Sequence, residues 1–164
     1  MKLTTEMSYP GAELDRVLAM LLDEDFRSEV CAATRALSHQ VDITTRADGS
    51  ADVTVSRVLP ADVPDFVKKF VGETIRLVQS ESWAAQDGSA GRHADLTLEV
   101  VGQPATMRGS IRLDQSPDGV HERVSGDLTV SVPFVGGKIE SDIAKGLLAA
   151  ARVEQQTGRD WLSR

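Results

Sequence analysis

The chain begins with alternating apolar and polar residues and then changes to a helical period. Residues 2–8 follow the two-residue period that is typical of a half-buried strand. After a Tyr-Pro-Gly turn at residues 9–11, apolar residues recur every three or four positions along residues 14–22, which predicts an amphipathic helix. The acidic residues 23–25 end this helix and cap a second one, which carries Val30. One strand and two helices are therefore predicted.

From residue 38 onward the pattern is that of strands joined by short turns. Residues 41–45 and 53–57 alternate apolar and polar side chains on either side of Ala-Asp-Gly-Ser at residues 47–50, a hairpin turn. A short helix or folded crossover is then predicted at residues 65–71, which follow Pro60 and Pro64 and precede Gly72. Four further strands, separated by strong turn residues, are predicted at residues 73–84, 92–101, 106–115 and 119–132. Such short connections indicate an antiparallel meander.

The last strand and the segment after it suggest a sheet that curls beneath a long helix. A straight strand of roughly 14 residues would span about 45 Å, so Gly126 is predicted to form a bulge or bend. Apolar residues then follow one side of a helix over residues 137–163, about 40 Å long. Gly136 and Gly137 form the corner before this helix, and Gly146 is predicted to let it approach the sheet closely.

Together these elements predict an α+β fold, with a curved antiparallel sheet of about seven strands, two short N-terminal helices and one long C-terminal helix. A length of 164 residues suits a single domain over residues 1–164 that folds around one core. No repeat, linker or low-complexity tract divides the sequence.

Composition narrows the range of partners and locations. The net charge of −7 and an isoelectric point near 4.9 argue against nucleic acid, whose binding draws on clustered Lys and Arg. The scattered charges predict the solvated surface of a monomer or small homo-oligomer. No apolar run has signal-peptide length at the N-terminus, and none approaches the roughly 20 residues of a transmembrane segment. The single cysteine, Cys31, suits a reducing compartment, so a cytoplasmic location is expected.

Histidines, serines and glycines give no sign of metal, nucleophile or cofactor chemistry. His39, His93 and His121 lie in separate strand or turn contexts, with no carboxylate at metal-ligand spacing. No serine lies in a nucleophile-elbow sequence, and Gly136-Gly137 lacks the longer glycine fingerprint of an anion site. We therefore predict neither a metal nor a cofactor.

The order of elements and three sequence runs resemble a known superfamily. The runs are Val132-Pro133-Phe134-Val135-Gly136-Gly137-Lys138-Ile139-Glu140, Glu81-Ser82-Trp83 and Trp161-Leu162. The chain resembles the START-like, or SRPBCC, superfamily of helix-grip proteins, and within it an uncharacterised branch from high-GC bacteria. The resemblance implies a cavity between the concave face of the sheet and the C-terminal helix. Members of the superfamily use this cavity for lipids, sterols, polyketides or other apolar molecules, and some catalyse cyclisation or dehydration there.

Strand and helix alternation identify the side chains that would face such a cavity. We predict that a hydrophobic ligand contacts Val53, Val55, Ile75, Leu77, Trp83, Leu96, Leu98, Ile111, Leu113, Leu128, Ile143 and Leu147. Periodicity marks burial, and the same side chains could equally fill a solid core. The sequence leaves open whether the C-terminal helix covers side chains or a void.

Glu81 is the candidate for catalysis, and its strand allows two placements. Alternation after Ile75 and Leu77 would put it on the cavity wall, where a buried carboxylate needs a cation or a proton. A strand bulge or the open end of the trough would put it in solvent, and this second placement is the one we expect. Arg57 and Arg76 are candidate clamps for a carboxylate.

Three functional classes fit these observations. The first is binding of a hydrophobic small molecule or lipid without catalysis. The second is a cyclase or dehydratase acting on an apolar or polyketide-type substrate, with Glu81 as acid or base. The third is a protein-interaction module that uses the outer face of the sheet or the flap of residues 65–71, with Phe66 and Phe70 on one side. We expect the first, and the sequence leaves open whether the protein is also an enzyme.

Overall fold

The structure, a computed structural model, describes residues 1–164 apart from the side chain of Phe70. The strands are β1 (Lys2–Pro10), β2 (Ser38–Thr45), β3 (Ala51–Pro60), β4 (Thr74–Trp83), β5 (Gly91–Val100), β6 (Ala105–Ser116) and β7 (Gly119–Val130). The helices are α1 (Leu14–Leu21), α2 (Glu24–Ala33), α3 (Asp65–Val71) and α4 (Gly136–Leu162). The predicted order of elements and the α+β class are confirmed.

The strands form one antiparallel sheet in the order β1-β7-β6-β5-β4-β3-β2. Strands β2 to β7 each pair with their neighbours in sequence, and β1 returns to pair with β7, which places Lys2 opposite Asp127. The turn residues make the meander possible, because Gly49 and Gly102 adopt φ angles of 83° and 76° that side chains disfavour.

The prediction of a bulge at Gly126 is wrong. The register is continuous through this residue, which lies opposite Leu3 on one side and Gly109 on the other. A Cβ atom on Gly109 would lie 1.9 Å from the carbonyl oxygen of Ser125. The two glycines therefore let β6 and β7 approach closely without an extra residue in either strand.

The helices cover one face of the sheet, and part of this layer is a closely packed core. Val17 from α1 and Phe26 from α2 are fully buried, as is Leu113 from β6. The rings of Phe26 and Trp161 meet edge to face, with 5.6 Å between their centroids, and so join α2 to the end of α4. Within the described part of the chain, no helix combines the length and apolarity needed to cross a bilayer.

The close approach of α4 to its neighbours occurs at Gly158, and the prediction for Gly146 is wrong. A Cβ atom on Gly158 would lie 2.7 Å from Cε1 of Tyr9 and 3.1 Å from Cε of Met20. A Cβ atom on Gly146 would meet nothing within 4 Å. Both positions lie on the same helix, so they form a matched pair for measuring the effect of this contact.

We expect Gly158→Ala to lower the free energy of unfolding by about 1–3 kcal/mol, because the added methyl group overfills the contact with Tyr9. Gly146→Ala should instead stabilise the protein by up to about 1 kcal/mol through helix propensity alone. Urea unfolding of both variants measures the difference. Equal effects at the two positions would contradict the assignment of the contact to Gly158.

Candidate functional site

A cavity of ≈ 560 Å³ lies between the sheet and α4. Its wall is mostly apolar, and α3 contributes Val67, which is buried, and Phe66, which is 44% exposed. The ammonium group of Lys138 lies 5.9 Å from the centroid of the Phe66 ring and links α3 to the start of α4. The side chain of Phe70 lies outside the described residues. The prediction that Phe66 and Phe70 lie on one side of α3 can therefore be compared with the structure only at Phe66. The volume falls in the range of small-molecule sites.

The inward face of α4 meets this void. Ile139, Ile143, Leu147 and Ala150 line the cavity, and each is only half-buried. The buried positions of the helix are one alanine and two glycines. Large apolar side chains that face inward and still have accessible surface indicate empty space rather than packed side chains beneath the helix. The question that the sequence left open is thus answered in favour of a void.

The predicted ligand contacts divide into cavity wall and core. Those that line the cavity are Ile75, Leu77, Leu96, Leu98, Ile111, Ile143 and Leu147. Those that are buried in the core and do not line it are Val53, Val55, Trp83, Leu113 and Leu128. Alternation identified the inner face of the sheet, but it carries no information about which part of that face other side chains already cover. Leu3 and Val124, on β1 and β7, were missed and also line the cavity.

Polar side chains interrupt the apolar wall. They include Arg27, Arg57, Gln79, Glu81, Glu122 and Glu154. They come from α2, β3, β4, β7 and α4, so residues that are distant in sequence meet in one cluster. Its deepest members are Glu122, which is 2% exposed, and Glu81, which is 3% exposed.

Glu81 is buried, so the expectation that it reaches solvent is wrong. Its Oε2 atom accepts hydrogen bonds from Nη2 of Arg27 at 2.7 Å and from Nε1 of Trp83 at 2.8 Å. Its Oε1 atom accepts a hydrogen bond from Nε2 of Gln79 at 2.6 Å. The guanidinium of Arg27 and the two neutral donors together compensate the cost of burying the carboxylate. Glu81 therefore needs neither a bulge nor an open strand end to bring it into solvent.

Arg27 holds this cluster together from α2. Its Nε donates to the carbonyl oxygen of Leu21 at 2.7 Å, and its Nη1 lies 3.8 Å from Oε1 of Glu154. Burial alone would lower the pKa of Arg27, but the carboxylates of Glu81 and Glu154 outweigh burial and hold the pKa above its ordinary value. Arg27 therefore carries its charge in the interior.

The sequence contained a signal for the missed members of the cluster. Arg27 lies three and four positions before Val30 and Cys31, so a charged residue occupies the apolar stripe of α2. Glu154 likewise follows Leu147 at a spacing of seven on the inward face of α4. Glu122 lies in phase with the inward positions of β7. A charge at a core position of a periodic segment is the sign of a buried partner.

The two candidate arginine clamps lie on opposite faces of the sheet. Arg57 faces the cavity, where Nη2 donates to Oε1 of Gln79 at 2.9 Å. Arg76 is exposed on the outer face, because it precedes the inward Leu77 in the alternation of β4. Arg76 therefore cannot contact a molecule in the cavity.

Burial shifts the acid–base behaviour of two groups on this wall. It raises the pKa of Glu122 to about 8, with Glu154 as the second cause. The hydroxyl of Tyr9 donates to Oε2 of Glu122 at 3.1 Å, and burial followed by the charge of Glu122 holds the pKa of Tyr9 far above its ordinary value. Burial also raises the pKa of Glu154. The wall thus carries a carboxyl group that is largely neutral at pH 7.

Histidines do not contribute to this site. His39, His93 and His121 are all exposed on strands β2, β5 and β7. Among the residues that the structure describes, no three His, Cys, Asp or Glu side chains come together in a way that could hold a metal ion.

Similar sequences are found in mycobacteria. The chain is 26% identical over 120 residues to the uncharacterized proteins Rv0481c of Mycobacterium tuberculosis and Mb0491c of Mycobacterium bovis. The match covers 71% of this chain and 68% of each relative.

Solved structures with the same fold span almost the whole chain. TTHA0849 from Thermus thermophilus has a TM-score of 0.64 at 14% identity, over 98% of this chain and 95% of its own. Human STARD10 has a TM-score of 0.60 at 8% identity, over 99% of this chain and 64% of its own. At these identities the likeness concerns the fold alone, which is the START-like helix-grip fold that the resemblance implied. Residues 4–162 match the family described as protein of unknown function (DUF2505), and the chain belongs to that family.

Proposed function

We propose that the protein binds a hydrophobic small molecule or lipid in the cavity between the sheet and α4. The observation that carries this proposal is the half-buried apolar face of α4 above a void of ≈ 560 Å³. Side chains around an empty cavity forgo the dispersion contacts that a packed core provides, and the protein loses stability as a result. An apolar ligand restores those contacts, so a retained cavity favours a binding role.

The contacts of Glu81 argue against its use as a catalytic acid or base. Both of its oxygen atoms already accept hydrogen bonds, from Arg27, Gln79 and Trp83. A group that transfers protons must have a lone pair or a proton directed at the substrate. Glu81 instead fixes the side chains around it, and binding without catalysis remains the function that this wall favours.

Native mass spectrometry of protein purified from its own host, followed by organic extraction, tests the proposal. A bound apolar molecule of constant mass that extraction removes is the expected result. Protein that is empty in every preparation and shows no calorimetric uptake of fatty acids, sterols or polyketides would overturn the proposal.

Leu147→Trp is expected to weaken binding of the extracted molecule at least about tenfold, because the indole occupies space that the ligand needs. Leu147 lines the cavity from the middle of α4. Since the void can take the larger side chain, we expect the free energy of unfolding to change by less than about 1 kcal/mol. Isothermal titration calorimetry and urea unfolding measure the two quantities.

Lys145→Trp is the matched control, since Lys145 is exposed on the opposite side of the same helix. It should leave binding unchanged. Full ligand affinity in Leu147→Trp would contradict the assignment of Leu147 to the cavity wall. A large loss of stability would contradict it too, because a tryptophan forced into a filled core is destabilising.

A further inference from the structure

Arg57 is a buried cation on the cavity wall whose hydrogen-bond partners are all neutral. The residue is 9% exposed, and its Nη2 and Nη1 atoms donate to Oε1 of Gln79 at 2.9 Å and to Oγ1 of Thr34 at 3.4 Å. Its Nε atom is buried and has no hydrogen-bond acceptor among the described residues. Burying a cation that has neither an ion-pair contact nor a full set of acceptors is costly, and the protein supplies neither to Arg57.

Arg27, another arginine of the wall, has a charged or polar acceptor at each of its nitrogen atoms. Arg27 has a carbonyl oxygen on Nε and carboxylates facing both Nη atoms. Glu154 lies 3.8 Å from Arg27 and forms its ion pair there rather than with Arg57. Glu81 and Glu154 thus form ion pairs with Arg27, whereas no carboxylate of the described residues lies within ion-pair distance of Arg57.

We infer that Arg57 binds the carboxylate of an amphipathic ligand whose apolar tail fills the cavity. This inference rests on the proposed function. A guanidinium group has five N–H donors in a planar fork that matches the two oxygens of a carboxylate, and Gln79 and Thr34 use only two of them. Leu59 and Leu77, which flank this position on the wall, supply apolar contact for the start of the tail.

The surroundings of Arg57 favour a single negative charge on the ligand. The carboxyl group of Glu81 lies one hydrogen bond beyond Gln79, whose Nε2 donates to it at 2.6 Å. A phosphate monoester would bring a second charge close to this carboxyl group and would be repelled in a medium that screens poorly. A monocarboxylate therefore suits Arg57 better than a phosphate monoester does.

Calorimetric titration with lauric acid, lauryl alcohol and lauryl phosphate tests the inference. The native protein should bind laurate at least about tenfold more tightly than the alcohol, because a charge-assisted hydrogen bond adds about that factor. Arg57→Gln should lose this preference while its affinity for lauryl alcohol stays unchanged, and Arg57→Lys should keep part of it. Arg76→Gln, on the outer face of β4, is the control and should behave as the native protein.

A second readout separates head-group binding from a structural role. If Arg57 is retained for a ligand, ligand-free Arg57→Gln should be as stable as the native protein or more so, because the variant removes an uncompensated buried charge. A clear loss of stability in ligand-free Arg57→Gln would overturn the inference. Equal affinity of the native protein and of Arg57→Gln for laurate would also overturn the inference, as would tighter binding of lauryl phosphate than of laurate. In both cases the proposed function would still hold. If neither laurate nor lauryl alcohol binds the native protein, the inference fails, and native mass spectrometry with organic extraction decides the proposed function separately.

Discussion

Replacing Arg27 by methionine is expected to lower the free energy of unfolding by about 3–5 kcal/mol, because the change leaves a carboxylate buried without its cation. Glu81 is 3% exposed, and its Oε2 atom accepts a hydrogen bond from Nη2 of Arg27 at 2.7 Å. Methionine would place apolar atoms where this donor lies. The carbonyl oxygen of Leu21 also loses its donor, which lies at 2.7 Å. Urea unfolding at neutral pH measures the loss.

The double variant Arg27→Met, Glu81→Gln separates the cost of the unpaired charge from the cost of lost packing. With both charges absent, we expect about half of the loss or more to be recovered. Arg123→Met is the control, since it breaks an exposed ion pair with Glu6 and should cost less than about 1 kcal/mol. If Arg27→Met costs no more than this control, the buried pair does not hold α2 to the sheet.

The fold could be predicted because its signals are local. The change of period at residues 9–11, the turn chemistry at residues 47–50 and the long apolar stripe of residues 137–163 each depend on neighbours in sequence. Alternation also placed Leu77 and Leu96 on the correct face of the sheet. Each of these inferences needs no knowledge of what lies across the cavity.

The partners of the buried charges could not be predicted in the same way. Glu81 and Arg27 are 54 positions apart, and nothing local indicates that the two side chains meet. Without a known cation nearby, burial of Glu81 has a high free-energy cost, and the sequence therefore predicts that its carboxylate faces solvent. The same limit applies to Gly158, whose neighbour Tyr9 comes from the other end of the chain. Side-chain contacts between distant elements depend on the three-dimensional course of the backbone.

The distinction between cavity wall and core also lies beyond periodicity. Leu98 and Leu113 are both inward positions of neighbouring strands, yet the first lines the void and the second is fully buried. The difference comes from what covers each strand, and the covering residues belong to helices at other places in the sequence.

We expect the protein to lose stability as the pH rises from about 4.5 to about 8, through ionisation of Glu122. Burial, and then the charge of Glu154, raise the pKa of Glu122 from 4.5 to about 8, while Arg27 acts in the opposite direction. The folded protein thus holds a proton that the unfolded chain has released. This stabilisation is complete below pH 4.5 and is lost as the pH passes through about 8. The loss is at most about 5 kcal/mol, because a tenfold difference in proton affinity between the folded and unfolded chain corresponds to about 1.4 kcal/mol.

Glu122→Gln tests this dependence, because an amide keeps the acceptor for the Tyr9 hydroxyl and cannot ionise. Urea unfolding at intervals between pH 4.5 and pH 9 should give a much flatter curve for the variant, which becomes more stable than the native protein at the alkaline end. Glu99→Gln, at an exposed position of β5, should reproduce the native curve. An equally steep curve for Glu122→Gln would mean that another group on the wall, such as Glu154, carries the pH dependence, and that Glu122 is not the proton-holding carboxyl of the cavity.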